Sequence, residues 1–187
     1  MTVNIVKPNM LCLEYRQEKE DKDYGSCLWA RFTFNLDRYE LTITSDCGNY
    51  GYKWVETPKS ESFLELMARC DKGYILDKIY GSPDVFDYEE TKKLFYEYAD
   101  DDKEKKELDR IFEEIEWCGY PHTEDGFIRV FEEESSNYDN IWEYIQYSYP
   151  ANALKIVSVF DECIRQKIEE IIKRSRKFTY SNGKFTI

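Results

Sequence analysis

Side chains alternate between apolar and polar more regularly in residues 28–55 than anywhere else in this sequence. An apolar or aromatic residue at every second position is the period of a β-strand with one buried face. Turn-forming residues interrupt the alternation twice, so the stretch predicts an antiparallel meander of three strands. Leu11, Leu13 and Tyr15 predict one more strand ahead of it. The predicted inward positions of the meander are Ala30, Phe32, Phe34, Tyr39, Leu41, Ile43, Tyr50, Tyr52 and Trp54.

Helical spacing dominates the middle of the chain. Ser60 is the predicted N-cap of a first helix, whereas residues 72–80 fit either a helical turn or an edge strand. Asp87 followed by Glu90 is a capping box, which predicts the start of a further helix. Another helix follows and ends before Gly119. These last two helices are expected to form an antiparallel hairpin.

The final part of the chain is also predicted to be mainly helical. Residues 124–134 fit a short helix or a strand, and residues 136–147 repeat the capping pattern with Trp142 inside. Pro150 is expected to start the longest helix, because proline suits the first helical turn. Residues 177–187 are predicted to form a hairpin, because an Asn-Gly pair suits its turn.

These elements predict an α+β fold, in which a small N-terminal antiparallel sheet packs against helices and a helical C-terminal half ends in a hairpin. A single compact domain is expected for residues 1–187, with a sheet-rich part in 1–58 and a mainly helical part in 59–187. No apolar signal segment and no apolar run of about twenty residues occur, so the protein is expected to be soluble and cytoplasmic. Its six cysteines are expected to stay reduced there.

The formal net charge of −12 is distributed unevenly along the chain. Residues 1–80 carry 13 acidic and 11 basic residues, residues 81–149 carry 21 and 7, and residues 150–187 carry 4 and 8. The central block therefore has a net charge of −14. A field of this sign repels phosphate, so no direct contact with nucleic acid or a membrane is expected. A basic protein surface is the favoured partner.

Carboxylates and tyrosines of the central block form the predicted partner-binding surface. Carboxylates that helices hold in rows can occupy a basic nucleic-acid channel by imitating a phosphate backbone. The alternative is a solvated face that only confers solubility, and three lysines at 103, 105 and 106 interrupt the row. The predicted residues are Glu97, Asp100, Asp101, Asp102, Glu104, Glu113, Glu116, Glu132, Glu133, Tyr138 and Tyr144.

The turn before the last strand of the meander is a second candidate site. Its residues of interest are Asp46, Gly48, Tyr50, Tyr52 and Trp54. Asp46 can accept hydrogen bonds from backbone amides, Gly48 permits left-handed backbone geometry, and the aromatic residues then alternate along a strand. The alternative is a structural turn that fixes a hairpin and carries a packed aromatic face.

The segment ARFTFNLDRYELTITSDCGNYGYKW, followed by SFLELM and KGYILDKI, resembles a group of small acidic proteins of phages and other mobile elements. The shared pattern is a strand pair that leads to a Ser-Asp-x-Gly-x-Tyr-x-Tyr-x-Trp turn and strand. Cys47 departs from that pattern, which has an aromatic or polar residue at this position. The resemblance covers about a third of the chain, and residues 100–187 lie outside it.

The resemblance implies a phage-encoded inhibitor of a host nucleic-acid-targeting defence complex, of the anti-CRISPR kind. Such a protein acts in the host cytoplasm by binding a Cas effector or another nuclease. An alternative is a non-enzymatic phage accessory or scaffold protein that homodimerises. Neither function requires a catalytic residue, a cofactor or a metal, and none is predicted. A metal-dependent or thiol hydrolase is a third possibility, but Cys118 and His122 supply only two of the roughly four ligands that a zinc site needs.

Overall fold

The chain folds into two compact units. Unit 1 comprises Met1–Ser82 and Ala151–Ile187, and unit 2 comprises Pro83–Pro150. Unit 2 is therefore an insertion in the sequence of unit 1, and its boundaries coincide with those of the acidic central block. The single compact domain expected for residues 1–187 stays a prediction. This computed structural model describes residues 1–56, 61–135, 138 and 140–181, with side chains as far as residue 176.

Unit 1 is built on the predicted antiparallel sheet. Its strands are β1 (Met10–Arg16), β2 (Trp29–Asn35), β3 (Glu40–Ser45) and β4 (Gly48–Lys53). They lie in the order β1-β2-β3-β4, and each pairs with the next in antiparallel fashion. Phe32 lies opposite Leu13 on one side and Ile43 on the other, so an apolar row crosses the sheet. The α+β class and the meander are both confirmed.

One face of the sheet forms the core of unit 1. Phe32, Phe34, Leu41 and Ile43 are fully buried, as the alternation predicted. Tyr52 lies opposite Leu41 and shares that face, but its strand is at the edge of the sheet and its side chain is partly exposed. The predicted inward pattern therefore weakens at the last strand, where no further strand covers the aromatic rings.

Two short helices follow the sheet, α1 (Phe63–Arg69) and α2 (Lys72–Tyr80). The predicted N-cap, Ser60, lies outside the described residues, and Ser62 performs this role. Its side chain accepts a hydrogen bond from the amide of Glu65, and the Glu65 carboxylate accepts one from the amide of Ser62. The helix so anchored places the Phe63 ring 5.6 Å from the ring of Trp54, over the sheet.

The described residues of unit 2 form three α-helices, one 3-10 helix and a small pair of strands. Its elements are β5 (Val85–Phe86), α3 (Tyr88–Tyr98), α4 (Asp102–Trp117), α5 (Glu124–Glu134), a 3-10 helix (Ile141–Glu143) and β6 (Tyr147–Ser148). β5 pairs with β6, so the two ends of the inserted segment lie side by side. Asp87 caps α3 as predicted, because its carboxylate accepts a hydrogen bond from the amide of Glu90.

The three helices alternate in direction. The Tyr88 hydroxyl, at the start of α3, donates to Glu116 near the end of α4. The Tyr96 hydroxyl, near the end of α3, donates to Asp109. The predicted hairpin of α3 and α4 is therefore confirmed. α5 runs back along α4, because Arg110 on α4 pairs with Glu134 at the end of α5.

Aromatic rings hold unit 2 together. Phe95 on α3 is fully buried, and its ring lies 4.5 Å from that of Phe131 on α5 and 6.0 Å from that of Phe112 on α4. The ring of Tyr144, from the segment after α5, stacks on Phe95 at 4.3 Å. One phenylalanine thus joins α3 to both α4 and α5.

The described residues between 138 and 147 do not form the predicted helix. Residues 136, 137 and 139 lie outside the described residues, and the chain from Ile141 forms one 3-10 turn that leads into β6. Trp142 was expected inside but is 59% exposed. The reason is packing: Ile141 and Ile145 fill the core from a short irregular segment, so the Trp142 side chain in the turn faces outward.

The chain then returns to unit 1 in one long helical run. It comprises α6 (Ala151–Val159), a π-helical turn (Phe160–Ile164) and α7 (Arg165–Ser181). Pro150 precedes it, as predicted. The Arg165 guanidinium after the π turn donates to the carbonyls of Met67, Ala68 and Cys70, at the end of α1, where carbonyls lack helical partners. The predicted C-terminal hairpin is wrong in its first strand, because residues 177–181 continue α7. The rest of that prediction, residues 182–187, lies outside the described residues.

Replacing Phe95 by Ala is expected to destabilise unit 2 by about 3–5 kcal/mol, because the change opens a cavity among rings from all three helices. Urea unfolding followed by circular dichroism measures the loss. Tyr98→Ala is the matched control on the same helix, since Tyr98 is 66% exposed and its removal leaves no such cavity. Equal losses in the two variants would contradict the central position of Phe95.

Stability is also expected to depend on Glu65 in a defined pH range. Hydrogen bonds from the Ser62 amide and then from Arg176 lower the pKa of Glu65 to about 2. A carboxylate with a lowered folded-state pKa stabilises the fold above its unfolded pKa, about 4.3, and loses that contribution as the pH falls towards 2. Glu65→Gln should therefore be less stable than wild type at neutral pH, and the difference should vanish near pH 2.

Urea unfolding at a series of pH values measures this difference. Glu162→Gln, at an exposed position on the π turn, is the control. The difference in free energy of unfolding between wild type and Glu65→Gln could stay constant across the acid range. That result would show that ionisation of Glu65 in the capping box contributes nothing to stability.

Candidate functional site

The acidic residues of unit 2 are gathered by the direction of its helices. α3 ends where α4 begins, whereas α5 ends beside Arg110, in the middle of α4. The segment after α5 continues towards the start of α4, because Tyr138 lies within electrostatic reach of Glu104 and Glu107. We call this group of carboxylates the acidic end. Its members are Glu97, Asp100, Asp101, Asp102 and Glu104. The predicted Glu132 and Glu133 are not among them, because the end of α5 lies beside Arg110 in the middle of α4 and Glu133 is within electrostatic reach of Cys118, at the far end of that helix.

Most of these carboxylates face solvent. All are exposed except Glu104, which is half-buried. Within the described part of the chain, no ion pair involves any member of the acidic end. Their charges are therefore available to a cationic partner. Lys103, Lys105 and Lys106 follow on α4 and dilute the field, so the negative surface is concentrated at the turn before that helix.

Two members of the acidic end also have structural roles. The Asp101 carboxylate accepts hydrogen bonds from the amides of Lys103 and Glu104, each at 2.8 Å, and so caps α4. The bond from the Glu104 amide, followed by that from Lys103, lowers the pKa of Asp101. The Glu104 carboxylate in turn accepts from the amide of Asp100 at 2.8 Å. The turn that carries the charges is thus held by its own carboxylates.

The glutamates in the last turns of α3 and α5 lie where helix dipoles oppose them. The C-terminal end of a helix carries a partial negative charge, so basic residues are favoured there. The last turns of α3 and α5 contain no basic residue, yet Glu97 stands in the first and Glu132 and Glu133 in the second. At the end of α5, Arg110 of α4 donates to the carbonyl of Glu134 and pairs with its carboxylate, so a cation from another helix offsets part of this charge.

Two predicted residues lie away from the acidic end. Glu116 is near the start of α3, where Lys92 binds its carboxylate at 2.7 Å and the Tyr88 hydroxyl donates at 2.9 Å. The Lys92 ammonium, with the Tyr88 hydroxyl, lowers the pKa of Glu116. Glu113 is exposed on α4, about 16 Å along the axis from Asp102 at 1.5 Å per residue. The predicted set is therefore spread along α4, and only part of it lies at the acidic end.

The two predicted tyrosines pack into the aromatic core of unit 2. The Tyr138 ring lies edge-on to Phe95 at 5.5 Å, and the Tyr144 ring stacks on the same residue. Other aromatic residues of the unit face outward instead, although the sequence pattern predicted that Tyr98 and Trp142 are buried. They are Tyr98, Trp117 and Trp142, of which Trp117 is 83% exposed. The sequence did contain a signal that the Trp117 side chain is exposed, because Trp117 falls outside the apolar stripe of α4.

The motif turn is a well-packed hairpin end in unit 1. Asp46 and Cys47 form the two-residue turn between β3 and β4, and Gly48 follows with φ of +117°. A Cβ at Gly48 would lie 2.9 Å from the Tyr50 hydroxyl, which itself donates to the carbonyl of Cys47 at 2.9 Å. Only glycine satisfies both the backbone angle and this close approach.

The aromatic residues after that turn are less exposed than a binding platform would be. Trp54 is buried, and its amide donates to the carbonyl of Tyr39 at 2.8 Å. Its ring meets that of Tyr52 edge-on at 4.8 Å. Both rings therefore pack against each other at the edge of the core, beside β4.

The cysteines of the two units lie in different environments. Cys118 is half-buried and its Sγ lies 3.2 Å from a carboxylate oxygen of Glu114, whose hydrogen bond raises the pKa of Cys118. His122 is exposed. In unit 1, burial and then the neighbouring Cys47 raise the pKa of Cys27 to about 12. A raised pKa suppresses the nucleophilic thiolate form, so neither cysteine has the environment of a thiol nucleophile.

This α+β chain with an acidic helical insertion is a phage protein, as its match to a family of known proteins shows. It belongs to the family Phage_phiTE_072, described as a phage family, whose model matches residues 6–170. The phage origin implied by the resemblance is thereby confirmed, and the match extends through unit 2. No curated protein and no solved structure matches the chain. Among the described residues, no helix combines the length and apolarity needed to cross a membrane.

Replacing Glu132 and Glu133 by Gln is expected to stabilise unit 2, because it removes two negative charges from a helix C-terminus. The gain should be about 0.3–1 kcal/mol per residue at low salt and should shrink as salt screens the dipole. Thermal unfolding at two salt concentrations measures it. Asp125→Asn, in the first turn of the same helix, is the control and should have the opposite sign. A loss of stability in the double variant would show that these carboxylates support the fold.

Proposed function

We propose that this phage protein inhibits a host nucleic-acid-targeting defence complex, in the manner of an anti-CRISPR protein. It does so by binding a basic surface of the complex in the host cytoplasm, with no chemistry of its own. The observation that carries the proposal is the acidic end, a set of exposed carboxylates held at one end of a three-helix unit. The target surface is the Lys- and Arg-rich channel in which a Cas effector or similar nuclease holds nucleic acid.

The distribution of charge between the units supports this proposal. Unit 2 contains 21 acidic and 7 basic residues, whereas unit 1 contains 17 acidic and 19 basic. A need for solubility alone would be met by charges spread over both units. Concentrating them in one unit produces a local field that attracts a cationic surface and repels nucleic acid.

The cost of the arrangement gives further support. The last turn of α3 carries Glu97 in place of the base that its dipole favours, and the last turn of α5 carries Glu132 and Glu133 although Arg110 of α4 binds the carbonyl of Glu134 there. Residues selected only for stability would avoid this crowding. A partner that supplies Lys or Arg side chains compensates the charge, so the unfavourable energy in the free protein becomes binding energy in the complex.

Exposed aromatic residues can supply the apolar part of the same interface. Tyr98, in the last turn of α3, lies beside Glu97 and is largely exposed, while its ring meets that of Tyr144 edge-on at 5.9 Å. Tyrosine and tryptophan are enriched at the energetic centres of interfaces. Tyr138 and Tyr144, which were predicted to bind, support the surface from inside the unit.

Charge reversal at the acidic end tests the proposal. Asp100→Lys/Asp102→Lys is expected to weaken binding to purified Cas effectors by about tenfold or more, because two attractions become repulsions. Binding is measured at several salt concentrations, together with release of target DNA from the effector. Wild-type affinity should fall as salt rises.

Glu89→Lys/Asp125→Lys is the matched control. It makes the same change in net charge at exposed positions in the first turns of α3 and α5, at the opposite end of the unit. The control should retain near wild-type affinity. Equal weakening by both pairs, or an affinity that does not respond to salt, would contradict recognition by the acidic end.

A homodimeric scaffold is the second candidate, because β1 is an edge strand of the sheet. An edge strand offers unpaired backbone groups to a second chain. A stable dimer in light scattering, with no effector bound, would favour the scaffold over the inhibitor.

A further inference from the structure

Three groups that bind metals converge at one corner of the sheet in unit 1. The sulfurs of Cys27 and Cys47 and a carboxylate oxygen of Asp46 all lie within 4.8 Å of one another. Cys27 precedes β2, whereas Asp46 and Cys47 form the turn between β3 and β4. Across the part of the chain that the structure describes, three such groups meet nowhere else.

Neighbouring groups hold these side chains in place. One Asp46 oxygen accepts from the amide of Leu28 at 2.8 Å, and the other accepts from the amide of Trp29 at 3.3 Å. Each carboxylate oxygen has a second lone pair, so these bonds orient the group without using up its ability to bind a cation. The amide of Cys47 donates to the Ser45 hydroxyl at 3.1 Å, which fixes the backbone of the turn.

We propose that Cys27, Cys47 and Asp46 bind a single Zn²⁺ ion, with a fourth position open to water. Two thiolates and a carboxylate are ordinary zinc ligands. With Zn–S bonds of about 2.3 Å and tetrahedral angles, two sulfurs on one ion stand about 3.8 Å apart. The present separations are compatible with that arrangement to about an ångström, so side-chain rotation completes the site.

The surroundings fit entry of an ion from one side. Cys27 and Cys47 are buried, whereas Asp46 is exposed, so the carboxylate marks the entrance and the sulfurs the base. Without metal the Cys47 thiol donates to the carbonyl of Ser26 at 3.0 Å. Binding forms two S–Zn bonds and one O–Zn bond and breaks two S–H bonds, and both protons pass to water.

Such an ion would join the start of β2 to the β3–β4 turn. Two hydrogen bonds already link those segments at this corner: the Leu28 amide donates to the Asp46 carboxylate, and the Cys47 thiol donates to the Ser26 carbonyl. Since the free chain holds the ligands close together, little ordering is required on binding. Zinc would therefore add stability to the folded sheet, because a ligand that binds only the folded state favours it.

Loading the purified, reduced full-length chain with Zn²⁺ or Co²⁺ tests the proposal. We expect one bound ion per chain after removal of excess metal, and a thiolate-to-cobalt charge-transfer absorption with Co²⁺. Cys27→Ser/Cys47→Ser should abolish that absorption. Asp46→Asn retains an oxygen that can accept from an amide, so its fold should persist while its zinc affinity falls about tenfold or more.

Cys12→Ser/Cys163→Ser is the matched control, because it also removes two thiols of unit 1, both exposed. It should bind zinc like the wild type and show the same zinc-dependent rise in melting temperature. A wild-type chain that retains no zinc would overturn the assignment. Loss of metal in the control pair or in Cys118→Ser, with retention in Cys27→Ser/Cys47→Ser, would overturn it as well.

Discussion

The alternating direction of α3, α4 and α5 determines where unit 2 carries its charge. The helices pack through apolar and aromatic side chains, with Phe95 at the centre of their rings. Antiparallel packing brings the C-terminus of α3 beside the N-terminal half of α4, whereas α5 ends beside Arg110 in the middle of α4. Glu97 of α3 and the carboxylates at the start of α4 therefore belong to one end of the unit. The core thus creates the proposed binding surface without taking part in it.

The two units use their polar residues differently. In unit 1, charged groups complete the structure: Arg165 occupies the carbonyls at the end of α1, and Glu65 closes a capping box. In unit 2, Glu97 and Glu132 stand in helix last turns and take part in no ion pair among the described residues, whereas Glu134 is paired with Arg110. The proposed zinc ion lies in the other unit, so support of the sheet and recognition of a partner would be separate properties.

Sequence periodicity was sufficient to predict the sheet and most helices, because each of these elements has one buried face. Strand alternation located Phe32 and Ile43 correctly, and capping residues located the start of α3. Periodicity failed for the described residues between 138 and 147, where two isoleucines fill the core from an irregular segment and leave Trp142 outside. The acidic residues were evident from composition, but their distribution along α4 depends on helix direction, which composition does not contain. The approach of Cys27 to Cys47 likewise depends on strand register.

The pairing of β5 with β6 makes the acidic insertion a self-contained module. Val85 lies opposite Ser148, so the chain enters and leaves unit 2 at neighbouring points. A segment with adjoining ends can be lengthened, shortened or exchanged through changes inside it, while the two peptide connections to the host fold stay as they are. Variation of the proposed binding surface would then leave the sheet of unit 1 unchanged, and diversification of the lineage would be concentrated between these two strands.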